Sequence, residues 1–294
     1  MSRSILVPAN AEAPDSPAYA AAFAVAKRFA AAEPAGVRLR FLHLRPDIAK
    51  ETLALVSADF AGGIGYADMI DAGEKEADRH TEAAAAAVRN ACAAQGVVLG
   101  GPAMAGTVSA EWASEIGTEA DVLAAHGRCA DLVVMARDAM SGQPAPSLLE
   151  VALMETGRPL LIAPRKPQPV IGDVIAIAWK DTRESALAVA AAAPFLARAR
   201  QIVILSVVEG AAGEDASAER LRRTLQLHAN EVSVKRLEPR QEDLLTVLLG
   251  GVAVSGADLL VMGGYGHSRM REAVFGGFTR AVLRDAGLAV LMAH

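Results

Sequence analysis

The chain of 294 residues carries a formal net charge of -5, and 52% of its residues are hydrophobic although only 4% are aromatic. This length exceeds that of most single domains and predicts two, with cores filled mainly by small and aliphatic side chains. The acidic balance and the absence of a lysine or arginine cluster argue against a nucleic-acid or anionic-membrane surface. A small ligand or a protein partner is favoured instead.

The cysteines, the N-terminal segment and the lengths of the apolar runs indicate the cellular compartment. Cys92 and Cys129 lack the spacing of a metal site and lie in alanine-rich segments, which argues against a disulfide framework. Ser2-Arg3 leads straight into a strand-like run without the apolar region of an export signal. No apolar run approaches the length of about 18 residues that a membrane helix needs. We therefore predict a soluble cytoplasmic protein.

Strands and helices alternate in the first half. The apolar runs Ile5–Pro8 and Arg38–Leu44 predict two strands, with an alanine-rich helix between them. Extra sequence follows from Asp47 to Gln95, with a glycine-rich stretch at Gly62–Gly65 and a mixed-charge alanine helix after Gly73. Because these glycines follow no predicted strand, we interpret them as a bend between helices and not as a phosphate loop.

An internal repeat relates the two halves of the chain. The segment ADLVVMA at Ala130–Ala136 resembles ADLLVMG at Ala257–Gly263, and Leu153–Ala163 resembles Leu283–Ala293 at a similar spacing. In each copy an alanine-aspartate pair enters a buried apolar strand, and a second apolar strand follows. Such self-similarity indicates two copies of one supersecondary unit.

The second copy opens with its own strand-helix-strand series. Val174–Trp179 and Gln201–Val208 predict strands on either side of an alanine-rich helix, and such alternation indicates parallel βαβ units. The stiff polar joint PRKPQP, residues 164 to 169, precedes this copy. We therefore predict an α/β protein of two tandem doubly wound, mainly parallel five-stranded sheets flanked by helices. The predicted domains are residues 1–166 and 170–294.

The segment LLVMGGYGHSRMREAVFGGFTRAVL, residues 259 to 283, carries the strongest motif. Gly263 and Gly266 come directly after a strand, where positive φ angles would let the backbone approach a ligand closely. Gly276 and Gly277 precede a predicted helix, whose N-terminal N–H groups favour phosphate oxygens. The arrangement predicts an anion site.

This spacing, Gly263-x-x-Gly266, nine residues, then Gly276, resembles the nucleotide loop of ATP-binding universal stress proteins. Gly277 stands where the family has serine or threonine, and Thr279 matches a threonine position of the family. Together with the repeat, the resemblance extends over essentially all of both halves. It implies a Rossmann-like fold of the adenine nucleotide alpha hydrolase-like type. It also implies binding of ATP or another adenine nucleotide, with or without Mg²⁺.

The resemblance implies a set of nucleotide-binding residues. At the strand ends, the adenine and ribose would meet Ala178, Trp179, Lys180, Asp181 and Val207. Around the loop, the phosphates would meet Met262, Gly263, Gly264, Gly266, His267, Gly276, Gly277, Phe278 and Thr279. His267 and Arg269 are candidates for neutralising phosphate charge, with solvated loop residues as the alternative.

The end of the second copy's first strand departs from the family. Lys180 aligns with the family's aspartate, and Asp181 falls one place later, in the family's glycine position. Asp181 and Thr182 have an alternative role as helix N-caps, with Glu184 or Ser185 as the reciprocal partner. Trp179 is a packing residue or a residue lining the ligand crevice.

The first copy has lost this loop. Ala136, Arg137, Asp138 and Ala139 occupy the positions of Gly263 to Gly266, and Pro146-Ser147 replaces Gly276-Gly277. Side-chain Cβ atoms would crowd the pocket, Pro146 lacks an N–H group, and Asp138 would repel phosphate. We therefore expect nucleotide only in the second half, with the first half as a pairing partner.

Three functions fit these features. The first is a universal stress protein that binds adenine nucleotide in its C-terminal domain and acts as a stress-response sensor or regulator. The second is an interaction protein with a vestigial loop. The third is an enzyme, which needs catalytic groups that no recognised motif supplies; slow ATP hydrolysis is the most we expect. In the family the final strands, Leu160–Ala163 and Leu288–Ala293 here, pair across a dimer. This implies either an intrachain pseudo-dimer or a homodimer.

Overall fold

The computed structural model describes residues 3–9, 14–58, 66–137, 147–207, 216–227, 231–238, 243–264 and 277–294. The first half contains β1 Arg3–Pro8, α1 Pro17–Ala30, β2 Val37–Arg45, α2 Ile48–Ala58, α3 Tyr66–Gln95, β3 Val98–Leu99, β4 Val108–Ile116, α4 Glu119–Gly127, β5 Leu132–Met135, α5 Leu148–Glu155 and β6 Leu160–Ile162. The second half contains β7 Val174–Trp179, α6 Arg183–Ala191, α7 Ala193–Leu196, β8 Gln201–Val207, α8 Ala216–Leu225, β9 Val232–Leu237, α9 Leu244–Ser255, β10 Leu259–Gly263, α10 Gly277–Asp285 and β11 Ala289–Ala293.

Short polar side chains begin four of these helices. The residues before α4, α5, α6 and α9 have extended backbone, and each side chain accepts a hydrogen bond from an N–H group in the first turn of its helix. These N-caps are Thr118, Ser147, Thr182 and Asp243. At the other end of α9, Gly256 adopts a left-handed φ of 67°, which glycine adopts without a steric penalty.

The strands form one sheet in the order β3-β4-β2-β1-β5-β6-β11-β10-β7-β8-β9. Every neighbouring pair is parallel except β6 and β11, which are antiparallel. The predicted α/β fold with tandem, mainly parallel sheets is confirmed. The two sheets are edge-to-edge halves of one larger sheet. Of the two pairings left open for the final strands, the chain contains the intrachain one, and homodimerisation stays a prediction.

Helices cover the sheet on two faces. The core on one face receives side chains from α1, α3, α6, α7 and α8, and the core on the other face receives them from α4, α5, α9 and α10. Consecutive strand residues alternate between these cores, as Ile5 and Val7 do on one face and Leu6 on the other. This alternation explains why the central strands are apolar throughout.

The two halves also pack together away from the strands. Phe29 of α1 meets Phe195 of α7 edge to face, with ring centroids 4.7 Å apart. Arg28 donates to the carbonyls of Gly172 and Arg198 in the second half. On the opposite face, Arg137 donates to the carbonyl of Leu288. Both faces of the junction between the halves are therefore covered.

The repeated alanine-aspartate pair has a structural explanation. The carboxylate of Asp131 accepts a hydrogen bond from the N–H of Ser4 at 2.8 Å. The carboxylate of Asp258 accepts from the N–H groups of Gly172, Asp173 and Val174. In the first half, the aspartate before β5 therefore holds the start of β1. In the second half, the aspartate before β10 holds the start of β7 in the same way.

Candidate functional site

The structure brings the predicted strand-end residues of the second half together. β7 lies between β8 and β10, so the strand order reverses beside β7. Ala178 is in register with Met262 of β10, and Trp179 is in register with Ser206 of β8. In open parallel sheets, ligands bind at the carboxyl ends of strands where the order reverses. The predicted adenine and phosphate segments thus leave the sheet side by side.

The turn after β7 contacts helix α8. The indole Nε1 of Trp179 donates to Ser217 Oγ at 3.0 Å, and Asp181 forms an ion pair with Arg220 at 3.1 Å. Both charged side chains of this pair are 66% exposed, so the pair itself adds little stability. Lys180 between them is exposed.

Capping of α6 involves Thr182 and not Asp181. Thr182 has extended backbone, and its hydroxyl accepts from the N–H of Ser185 at 3.4 Å. The predicted capping alternative is therefore right for Thr182 with Ser185 and wrong for Asp181. The carboxylate of Asp181 lies one residue too early to reach the first turn and binds Arg220 instead.

Gly263 is a glycine for a different reason from the one predicted. Its φ lies outside the left-handed region, so the expectation of a positive φ is wrong at this position. A Cβ placed here would lie 2.7 Å from the backbone of Glu184 and Ser185. The glycine is needed because the N-terminal turn of α6 approaches the end of β10 closely.

Gly264, the next residue, is held from several directions. Its N–H donates to the carbonyl of Ala293 at 2.9 Å, and its carbonyl lies 3.1 Å from His294 Nδ1. A Cβ at Gly264 would lie 3.0 Å from Leu153 Cδ2, in the first half of the chain. Sequence reasoning missed both His294 and Leu153, because no local motif marks a contact between segments so far apart in the chain.

The start of α10 lies at the same edge of the sheet. Because β10 and β11 are parallel, the helix between them must return the chain across the sheet and so begins near the end of β10. It begins at Gly277, followed by a partly buried Phe278 and a buried Thr279. The N–H groups of its first turn are suited to an anion.

Some predicted positions are described only in part or not at all. Val207 is the last residue of β8, in register with Leu237, and only its backbone is described. Gly266, His267, Arg269 and Gly276 lie outside the described residues. The described part of the site therefore consists of the strand ends, Gly264 and the start of α10.

The corresponding positions of the first half are occupied by its own side chains. Ser147 and Glu150 form a reciprocal capping box at the start of α5, where the N–H of Ser147 donates to Glu150 Oε2 at 2.7 Å. Glu150 is 6% exposed. Its carboxylate thus lies at the N-terminus of α5, next to Ser147, which occupies the position of Gly277. Asp138, Ala139 and Pro146 lie outside the described residues.

Arg137 also departs from the second half. Its side chain is buried and donates to the carbonyl of Leu288. Burial, and to a smaller extent the nearby charge of Arg165, lowers the pKa of Arg137 to about 10. The guanidinium therefore remains charged at neutral pH. Its hydrogen bond to Leu288 joins the two halves, whereas Gly264, the counterpart of Arg137 in the second half, has no side chain.

The described residues contain neither a metal-binding cluster nor a membrane-spanning helix. There, no group of three or more histidine, cysteine, aspartate or glutamate side chains is arranged to hold a metal ion. None of the described helices combines the length and apolar character needed to cross a membrane.

Neither a protein-family model nor a curated protein matches this chain. Solved structures do match. A universal stress protein from Archaeoglobus fulgidus DSM 4304 has a TM-score of 0.58 at 14% identity, over 100% of this chain and 96% of that one. The chain has the universal stress protein fold. The resemblance found in the sequence is thereby confirmed for the fold.

Two structures from Pseudomonas aeruginosa also have a fold similar to that of this chain. A putative universal stress protein from strain UCBPP-PA14 has a TM-score of 0.51 at 15% identity, over 99% of this chain and 93% of that one. A functionally unknown protein from strain PAO1 has a TM-score of 0.52 at 14% identity, over 99% and 92% of the two chains. The likeness extends over both halves, so the tandem arrangement itself has parallels.

Proposed function

We propose that this chain is a universal stress protein that binds one adenine nucleotide in its second half and acts as a stress-response sensor or regulator. The observation that carries the proposal is the pairing of Ala178 with Met262 at the reversal of strand order. There, the turn after β7 and Gly264 after β10 leave the sheet side by side. The start of α10 at the same edge would meet the phosphates.

The chemistry of the described residues suits this ligand. N–H groups in the first turn of α10 favour phosphate oxygens, and Gly277 adds no side chain that would block them. The exposed ammonium of Lys180 adds positive charge beside the strand ends. Asp181 is available to a ribose hydroxyl, because its ion pair with Arg220 is largely exposed to solvent and weakly held.

We propose a single site for each chain. In the first half, Glu150 lies at the start of α5 and repels a phosphate approaching that helix. The buried Arg137 is committed to the carbonyl of Leu288. The first half then serves as a structural partner for the second.

We propose that the protein acts in the cytoplasm. Both of its cysteines, Cys92 and Cys129, are free thiols, as is usual in a reducing compartment. The regulatory role would be carried by the nucleotide-bound and nucleotide-free states of the second half.

A second candidate function is an interaction protein with a vestigial loop. It is favoured by Gly263, which close packing against α6 explains without any ligand. Gly277 also lacks the hydroxyl that the family supplies at this position. The two functions differ in whether the purified protein holds nucleotide.

Mass spectrometry of small molecules released from freshly purified, acid-denatured protein separates these functions. We expect about one ATP, ADP or AMP per chain in the wild type, because the strand ends and α10 provide one anion site. Gly266→Val and Gly276→Val should each remove it, because the family resemblance assigns both glycines to the nucleotide loop, where the backbone must approach the phosphates closely. In titrations with ATP and magnesium, the wild type should bind and both variants should fail to bind.

Gly250→Val is the matched control. Gly250 is exposed in α9, and a Cβ there meets no atom within 4 Å, so this variant should retain the nucleotide. Substitution of Ala136 in the first half should likewise leave the affinity unchanged. A wild type that contains no nucleotide and fails to bind ATP in titration would refute the proposed function.

A further inference from the structure

The residue that begins the second-half loop is enclosed by atoms from both halves of the chain. Of the atoms surrounding a Cβ placed at Gly264, the nearest belong to Leu153 at 3.0 Å, Met292 at 3.5 Å and Ala293 at 3.6 Å. Leu153 belongs to α5 in the first half and is 2% exposed. Gly264 itself is buried. Its backbone therefore has no free space on the side facing α5.

Leu153 is itself firmly held. The capping box of Ser147 and Glu150 defines the start of α5. Leu153 belongs to the same buried core as Met262 and Met292 of the second half. Interiors packed in this way transmit displacements, since side chains have few alternative positions.

We propose that Leu153 is a positioning residue for Gly264, at the edge of the proposed nucleotide site, so that both halves are needed to shape one site. The proposal rests on the proposed function above. The hydrogen bonds of Gly264 with the carbonyl of Ala293 and with His294 hold it beside the end of β11, and Leu153 limits its movement toward α5. Gly264 is then held in one position at the end of β10.

The antiparallel pairing of the two final strands makes this contact possible. Met292 of β11 lies in register with Leu160 of β6, and α5 directly precedes β6 in the chain. The pairing therefore brings α5 beside the end of β11, next to Gly264. The first half, which we expect to bind no nucleotide itself, thus contributes to the site in the second half.

A double-mutant cycle between Leu153→Ala and Gly264→Ala tests this role. In an otherwise wild-type chain, Gly264→Ala should raise the dissociation constant for ATP by between about 2-fold and 30-fold, because its new methyl group displaces Leu153 or the loop. In the Leu153→Ala background the methyl group has room, so the effect of Gly264→Ala should shrink to less than about 2-fold.

Amide hydrogen exchange of Gly264 in the ligand-free protein gives an independent measurement. Its N–H is bound to the carbonyl of Ala293 and should exchange slowly in the wild type. Either single substitution should raise the exchange rate of this amide. In the double variant, the rate should rise by less than the two single fold-increases multiplied together. This measurement needs no bound nucleotide.

Leu149→Ala provides the matched background. Leu149 is fully buried one turn earlier on α5, in the same core, so the substitution costs similar packing. Gly264→Ala should keep its full effect there. Equal effects of Gly264→Ala in all three backgrounds, on both affinity and exchange, would overturn the proposal. A wild type that fails to bind ATP would refute the proposed function instead, and the exchange cycle would still decide the role of Leu153.

Discussion

Adjacent glycines at the end of β10 have different physical reasons for lacking a side chain. At Gly263, a Cβ would collide with the backbone of Glu184 and Ser185 at 2.7 Å. At Gly264, a Cβ would meet a side-chain methyl group of the buried Leu153 at 3.0 Å and no backbone atom closer than 3.6 Å. In the sequence motif, both glycines belong to one nucleotide loop. In the structure, Gly263 is required by close packing against α6.

Gly263→Ala should therefore destabilise the whole chain. We expect a loss of about 1–3 kcal/mol in the free energy of unfolding, because the backbone of α6 must shift to admit the methyl group. Denaturation in urea measures it. Gly250→Ala is the control, and should leave stability unchanged or raise it by up to about 1 kcal/mol, since alanine favours a helix more than glycine does. Equal stability of the two variants would contradict the packing explanation.

At the level of elements, the strands missed by sequence analysis are the ones at the sheet edges. β4 (VSAEWASEI) and β9 (VSVKRL) mix polar and charged residues with apolar ones. β9 is an outer strand, and β4 is bordered on one side only by the two-residue β3. Edge strands keep some of their side chains in water, so they lack the continuous apolar runs that revealed the central strands.

The aspartates that begin β5 and β10 should contribute unequally to the fold. Asp258→Ala should cost about 1–3 kcal/mol, because it leaves several N–H groups at the start of β7 without their acceptor. Asp131→Ala should cost less than about 1 kcal/mol, since Asp131 is exposed and, among the described residues at this strand start, its carboxylate accepts from the N–H of Ser4 alone. Urea denaturation of the two variants measures the difference. A larger cost at Asp131 would contradict this ranking.

At the scale of the whole molecule, the junction between the halves is part of the core. β6 and β11 pair directly, Phe29 packs on Phe195, and both main apolar clusters contain residues from both halves. Neither half can therefore unfold without exposing apolar surface of the other. This continuity distinguishes the chain from two domains joined by a flexible linker.

The halves should consequently unfold in one transition. Trp112 lies in the first half and Trp179 in the second, so Trp112→Phe and Trp179→Phe each leave a single reporter of the other half. We expect coincident fluorescence transitions in denaturant. Phe195→Ala, introduced into both reporter variants, should shift both transitions by about 3–5 kcal/mol. A shift confined to the reporter of the second half would show that the halves unfold independently.

The amino-acid sequence by itself determined the α/β class, the two copies, the central strands and the position of the glycine motif. These features depend on short-range patterns: apolar runs, helix periodicity and glycine spacing are set by residues close together in the chain. Tertiary structure decided the joining of the two sheets, the reason for Gly263, the cap at Thr182 and the contact of Leu153 with Gly264. Each of these depends on which distant segment, or which of several neighbouring side chains, reaches a given backbone group, and such choices are made only when the whole core packs.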